Sequence, residues 1–300
     1  MKRFLILIFL IFVSEFSYSS ADTILVFVSN PGNKAYINTY KKWLNLSVGD
    51  FLRAEDSVYV DSYLGLLCSN GYAIEVNKTG KYLISKLLQT MVTKPSALQQ
   101  QLIRTEIKDF ILAMKSDPSL RSNPNNYDPW VPTVDNLKIY VMNPKDAETI
   151  ADTLNITWLR GYYKGIYTIS VYSIFEDVLF TAETDKNTYT INLSQISDSV
   201  FTYKVKIKTG YMSSDHFACR KTKPVKKQKV LSELKMLQEL HDKKSALNYY
   251  LLARYFQGKD LLLEAKDNYI KAMEQAESIR FYPNVYQRFV SQYGPSAIER

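Results

Sequence analysis

Cysteine and histidine are scarce in this chain, which carries two of each among 300 residues: Cys68, Cys219, His216 and His241. Two thiols cannot staple a disulfide scaffold, and four soft ligands without metal-site spacing exclude a zinc centre built on several thiolates or imidazoles. The ten glycines are scattered in turns, with no G-x-G-x-x-G and no G-K-[ST]. Without such a loop no backbone cradle for phosphate is expected, and neither is a nucleotide or any other cofactor. Beyond the N-terminus no segment approaches the roughly 20 apolar residues that cross a bilayer.

Groups placed for catalysis are equally thin. His216 lies beside Asp215 in the stretch SSDHFAC, with Cys219 three positions later, and this is the one local meeting of acid, imidazole and thiol. No glycine elbow or helix start presents the thiol, so the stretch reads as a surface loop and no catalytic residue is assigned. Cys68 sits in an apolar run, where a buried free thiol is common. Two carboxylates distant in sequence can meet in a fold, which leaves a hydrolase as a third reading only.

What is present begins with an address. Lys2 and Arg3 precede an apolar run from Phe4 to Val13, and Ser19-Ser20-Ala21 follows as a small-residue cleavage pattern. Residues 1–21 are expected to be a signal peptide, and the mature chain a periplasmic or extracellular protein that does not span the membrane. The chain is 46% apolar and 23% charged, so it can build a core, and its length allows two to three domains. Its formal net charge of +8 is concentrated in residues 220–229, where Arg220, Lys221, Lys223, Lys226, Lys227 and Lys229 stand without an acid. That run is expected to be a basic linker, with contact to an anionic surface as its functional reading and nucleic acid a poor third in an exported protein.

Periodicity divides the rest. Residues 22–87 alternate short apolar runs with turn chemistry at Asn30-Pro31-Gly32, Val48-Gly49-Asp50, Ser69-Asn70-Gly71 and Thr79-Gly80, which predicts a small β-barrel or sandwich. Residues 88–116 carry Leu98, Leu102, Ile103, Ile107, Phe110 and Ile111 at helical spacing, with Ser96 as N-cap. Residues 117–132 hold four prolines and read as a linker. Residues 133–219 return to alternation at about ten-residue spacing, which predicts a β-sandwich, and residues 230–300 turn helical. The fold class expected is mainly β and multidomain, with an α-helical C-terminal end.

Three resemblances refine this reading. WLNLSVGDFLRAEDSVYVDSYLGLLCSNGYAIEVNKTGKYLI, residues 43–84, resembles the FecR-like domain, with Trp43, Leu46, Gly49, Asp50, Leu52, Asp56, Val58, Leu66, Gly71, Ile74, Gly80 and Tyr82 at the matching places. The signalling relatives carry an inner-membrane span and a cytoplasmic regulator segment that this chain lacks, so the resemblance implies the domain and not anti-sigma signalling. LNITW at 154–158, YTISVY at 167–172 and FTYKVKI at 201–207 are similar to immunoglobulin-like and fibronectin type III modules, which implies that Trp158 fills a core and Tyr203 braces it. Tyr249, Leu252, Ala253, Phe256, Ala265, Tyr269 and Ala272 fall at the spacings of a single tetratricopeptide-like repeat, too few units to stand alone. Asp56-Ser57-Val58 and Asp198-Ser199-Val200 resemble the Bacteroidota O-glycosylation pattern.

Together these imply a non-enzymatic binding or scaffolding protein of a bacterial, Bacteroidota-like cell envelope, whose partner is another envelope protein or a copy of itself. Tyr249, Tyr250, Tyr255, Phe256 and Tyr269 are the expected partner face. The alternative is peptidoglycan or polysaccharide binding by Trp43, Tyr59, Tyr63 and Tyr72, whose rings suit sugar faces.

Overall fold

The computed structural model describes residues 24–91, 93–116, 138–159 and 165–294. The expected signal peptide and the 117–132 linker lie outside the described residues. The chain divides into two units, residues 1–116 and 117–300.

The first unit packs two four-stranded antiparallel sheets on a shared core. One has the order β4-β1-β6-β7, from β1 (Ile24–Ser29), β4 (Phe51–Leu52), β6 (Leu64–Cys68) and β7 (Ala73–Val76). The other has the order β3-β2-β5-β8, from β2 (Lys34–Ile37), β3 (Lys42–Asn45), β5 (Ser57–Val60) and β8 (Gly80–Leu83). Ile24, Val26, Leu64, Leu66 and Ile74 from the first sheet meet Ala35, Val58 and Val60 from the second. β1 reads ILVFVS and is buried on both faces, whereas β5 reads SVYV and alternates half-buried with buried. The difference has a cause: the outer face of the first sheet is covered by a helix, and among the described residues no helix lies along that of the second.

The covering helix is α2 (Ala97–Ser116), which follows the short α1 (Ile84–Gln89). Ser96 caps it, its hydroxyl accepting from Gln99 N at 3.1 Å. Phe110 packs on Phe27 with ring centroids 5.0 Å apart, and Ile103 is fully buried. Gln99 Nε2 donates to Gly71 O at 3.1 Å and Arg104 Nε to Ser69 O at 2.8 Å, so the helix grips the β6–β7 turn. That turn forms at Asn70-Gly71, where Gly71 has φ +99°.

The second unit holds a five-stranded sheet of order β12-β11-β14-β15-β9 and a two-stranded sheet β10-β13. The strands are β9 (Asp146–Thr149), β10 (Thr153–Thr157), β11 (Tyr167–Tyr172), β12 (Val178–Thr184), β13 (Thr188–Asn192), β14 (Val200–Ile207) and β15 (Phe217–Lys221). All pair antiparallel except β9 with β15, which is parallel. Trp158 lies at the centre of the core, 5.2 Å from the Tyr167 ring, and Tyr203 stacks on Phe217 at 5.6 Å.

Five helices follow: α3 (Pro224–Met236), α4 (Gln238–Asp242), α5 (Ala246–Gln257), α6 (Leu262–Gln275) and α7 (Phe281–Tyr293). Ala246, Ala253, Ala265 and Ala272 are fully buried between α5 and α6, small enough for the helices to close on one another. Leu263 of α6 belongs to the sandwich core, so the helical end and the sandwich are built as one unit.

Two expectations are corrected here. Residues 220–229 are no linker: Arg220 and Lys221 end β15, and Pro224 opens α3. Proline at the first helical position needs no N–H and brings a preset φ, so a helix starts where the charge density suggested open chain. SSDHFAC is likewise no simple loop, because its last three residues belong to β15.

Candidate functional site

The expected partner face is a helix core. Tyr250 and Tyr255 are 5% exposed, Phe256 6% and Tyr269 3%, while Tyr249 alone of the five is half-buried. Tyr250 sits 6.1 Å from the Tyr269 ring and 5.3 Å from Phe281. Tyr269 Oη donates to Gln257 Oε1 at 2.7 Å, and Tyr255 Oη to Glu233 Oε2 at 2.7 Å. These rings fill the gap that alanines leave between helices, and helical spacing alone does not tell such a stripe from an exposed one.

The basic run is partly spent inside the unit. Lys226 Nζ meets Glu148 Oε2 at 2.8 Å, Lys227 Nζ meets Asp152 Oδ1 at 2.8 Å, and Lys221 Nζ donates to the Ile196 carbonyl. Lys227 holds the Asp152 carboxyl below its usual range. Arg220, Lys223 and Lys229 are exposed. The acids that neutralise Lys226 and Lys227 come from the β9–β10 region, 75 or more residues earlier, so local charge counting missed them.

His216 and Cys219 are not brought together. Cys219 points into the sandwich core, 2% exposed, and burial pushes its thiol up to about 12. His216 instead lies 5.5 Å from the Tyr172 ring. Tyr172 alternates with the core residue Val171, which places the imidazole on the outer side of the sheet. Cys68 and Cys219 are both buried and neither is in a disulfide, one standing in each unit.

A buried polar cluster that sequence reasoning did not find joins α6 to the sandwich. Glu264 Oε1 accepts from Thr149 Oγ1 at 2.6 Å and from Ile150 N at 2.8 Å. Lys266, 1% exposed, donates from Nζ to Asn143 Oδ1 at 2.7 Å. Desolvation raises the Glu264 carboxyl and lowers the Lys266 ammonium from their ordinary values. The cluster's contacts are all internal and orient the helices on the sheet.

The first-domain aromatics separate into two groups. Tyr63 is 4% exposed, and Tyr72 packs against the core of its own unit. Trp43 and Tyr59 lie on the open side of the β3-β2-β5-β8 sheet. Cross-strand register sets two solvent-facing rows there, Trp43–Tyr36–Ser57–Leu83 and Asn45–Lys34–Tyr59–Lys81. The intervening row contains Ala35 and Val58, both buried. Trp43 is 40% exposed, its ring 5.5 Å from that of Tyr36, and Lys81 Nζ stands 5.5 Å from the Trp43 centroid. Tyr40, 66% exposed, extends the rim at the β2–β3 turn with Lys42 Nζ 5.9 Å from its ring. Tyr36 was missed at the sequence level, although its place two positions from Lys34 on a strand carried the signal.

The turns that hold this face are specified locally. Asp56, 2% exposed, accepts from Asn38 N at 2.9 Å and from Arg53 N at 2.8 Å, tying the end of β2 to the approach of β5. Gly49 takes φ +90° in the V-G-D turn, and Asp50 Oδ2 accepts from Ser47 N at 2.8 Å.

Among the described residues no group of His, Cys, Asp and Glu is arranged to hold a metal ion, and no helix is long and apolar enough to cross a membrane. No protein-family model and no curated protein matches the chain. Among solved structures, the chain is similar to the complex of Porphyromonas gingivalis RgpB pro- and mature domains, with 16% identity over 28% of this chain and 19% of that one, TM-score 0.22. It is also similar to the Arg-specific cysteine proteinase gingipain R, with 17% identity over 28% of this chain and 18% of that one, TM-score 0.21. The chain spans about a fifth of the length of the structures it matches, and likeness at this level carries no argument about fold or activity.

Proposed function

We propose that this chain is an exported, non-enzymatic binding protein of the bacterial cell envelope, and that its ligand surface is the open face of the first unit, which takes glycan. One observation carries the reading: Trp43, Tyr36 and Tyr59 share the solvent-facing side of one sheet, while the opposite sheet of the same unit is covered by α2. Aromatic rings held on strands offer sugar rings a rigid apolar platform at little cost in conformational entropy.

The module readings fit this role. The FecR-like reading of residues 43–84 is supported by the structural work of its motif positions Gly49, Asp50, Asp56 and Gly71. The immunoglobulin-like reading of residues 133–219 is supported by the parallel β9–β15 pairing beside an otherwise antiparallel sheet and by the buried Trp158 and Tyr203. The tetratricopeptide-like reading is supported by the alanine-lined contact of α5 and α6. Export rests on Lys2, Arg3 and the apolar run after them, and the non-enzymatic reading is supported by the separation of His216 from Cys219.

Retention of the mature chain on peptidoglycan and on polysaccharide columns tests the proposal. Wild type should be retarded on at least one and Trp43→Ala should elute at the void; equal elution of the two removes the reading. A second reading, a protein partner, is favoured by the β11–β12 turn, where Ile174, Phe175 and Val178 are 60%, 80% and 63% exposed. In-cell crosslinking that is lost in Phe175→Asp, with Trp43→Ala unaffected, would favour it.

A further inference from the structure

We infer that the ligand of the open face is an anionic polysaccharide, one that offers a sugar ring to Trp43 and a negative charge to Lys34 and Lys81. The inference rests on the reading of that face as glycan-binding and adds the charge of the glycan. The two solvent-facing rows contain only two ionised side chains, Lys34 and Lys81, and no acid. Neither lysine has an ion-pair partner among the described residues, and both are exposed. Of the acids around these rows, Asp56 is buried in its turn, Glu55 faces Arg53 at 3.9 Å, and Asp61, exposed just beyond β5, borders the Lys34 row with its carboxylate beside Gly32. The two rows themselves are therefore a positively charged aromatic platform, with Asp61 at one border.

Lys81 adds a selective element. Its ammonium stands over the Trp43 ring, where a stacked sugar has to sit. A neutral sugar would displace that ammonium and forfeit its cation–π contact with the ring. A sugar bearing carboxylate, sulfate or phosphate converts the displaced ammonium into an ion pair on the same ring. Lys34, beside Tyr59 in the same row, supplies a second cation along the direction of a bound chain. Tyr40 and Lys42 repeat the aromatic–cation pairing at the rim.

The experiment titrates the mature chain with two matched pairs of probes: oligogalacturonate with its methyl ester, and carboxymethyl-dextran with dextran. Tryptophan fluorescence and calorimetry read the binding at low and high salt. The acidic member of a pair should bind more tightly, and added salt should weaken it. Lys34→Gln and Lys81→Gln should each cost about three- to fivefold with the acidic probe, the size of an exposed ion pair. Lys81→Gln should leave the neutral probe unchanged or improved, and Trp43→Ala should lose both members. Unchanged melting temperatures confirm that these exposed substitutions leave the fold intact. If the neutral members bind as tightly as the acidic ones and both lysine variants behave as wild type, the anionic inference falls while glycan binding stands. If wild type binds none of the four probes, or Trp43→Ala binds as wild type does, the glycan reading falls and takes this inference with it.

Discussion

Lys266 Nζ donates a 2.7 Å hydrogen bond to Asn143 Oδ1 across 123 residues of chain, and that bond, from a lysine 1% exposed, helps hold the helical end to the sandwich. Burying an ammonium is costly, and here the cost is offset by the Asn143 acceptor together with Asp267 Oδ1, 3.8 Å away. Asn143→Ala should therefore destabilise the second unit by about 1–3 kcal/mol, because it leaves the buried ammonium with only the 3.8 Å Asp267 pair and removes the 3.0 Å bond from Nδ2 to Asn155 O. Lys266→Met, which keeps the volume and removes the charge, should be far milder, within about 1.5 kcal/mol of wild type. Denaturant unfolding of both variants checks this asymmetry.

Glu264 should give a pH signature. Burial raises its carboxyl from 4.5, so the folded state holds a proton that the unfolded chain has already released. Stability from this group falls as pH rises from 4.5 through the raised folded value. Glu264→Gln keeps the Oε1 acceptor for Thr149 and Ile150 and cannot ionise. The melting temperature of Glu264→Gln relative to wild type should climb over that window and then level off. Glu264→Ala leaves those donors unpaired and should cost about 1–3 kcal/mol at any pH.

Trp158 fills the sandwich core at 1% exposure, yet its buried Nε1 has no hydrogen-bond partner among the described residues. Trp158→Ala should cost about 3–5 kcal/mol through the cavity it opens. Trp158→Phe removes the orphaned N–H along with part of the volume, so thermal melts should show it to be the much smaller loss.

Gly71 holds the β6–β7 turn at φ +99°, and a Cβ there would lie 2.5 Å from Gln100 Cγ and 2.9 Å from Gln100 Cα. Gly71→Ala should exceed the roughly 1–2 kcal/mol of left-handed strain, because α2 must move as well. Gly80→Ala, whose nearest neighbour would be the Tyr82 ring at 3.3 Å, should cost less. Chemical denaturation of the two variants compares them.

Cys68 and Cys219 are 1% and 2% exposed, and burial pushes the Cys219 thiol up to about 12. Both should react with a chromogenic disulfide reagent only after denaturant is added, releasing two equivalents at once. Rapid reaction of either thiol in the native protein would contradict the buried placement.

The strands of the first unit, the α2 cap at Ser96 and the Asn70-Gly71 turn were legible in the chain because each depends on residues a few positions apart. Alternation in SVYV against the unbroken ILVFVS even distinguishes a sheet face left open from one that is covered. Of the candidate face, Trp43 and Tyr59 were found from sequence and Tyr36 was not, while Tyr63 is buried and Tyr72 stands half-buried away from these rows. Nearness in sequence cannot say to which side of a sheet a ring points until the register is known. The misread elements depend on distant partners. β9 reads DAET, with no apolar rhythm, and becomes a strand through β15, over seventy positions later. The lysines of α3 find Glu148 and Asp152, and Lys266 finds Asn143. Local order follows from backbone preference and side-chain period, which the sequence by itself determines. Which tyrosines are buried, which charges are neutralised and which aromatics share a face were decided by tertiary packing, because burial and pairing are properties of the neighbours that the fold supplies.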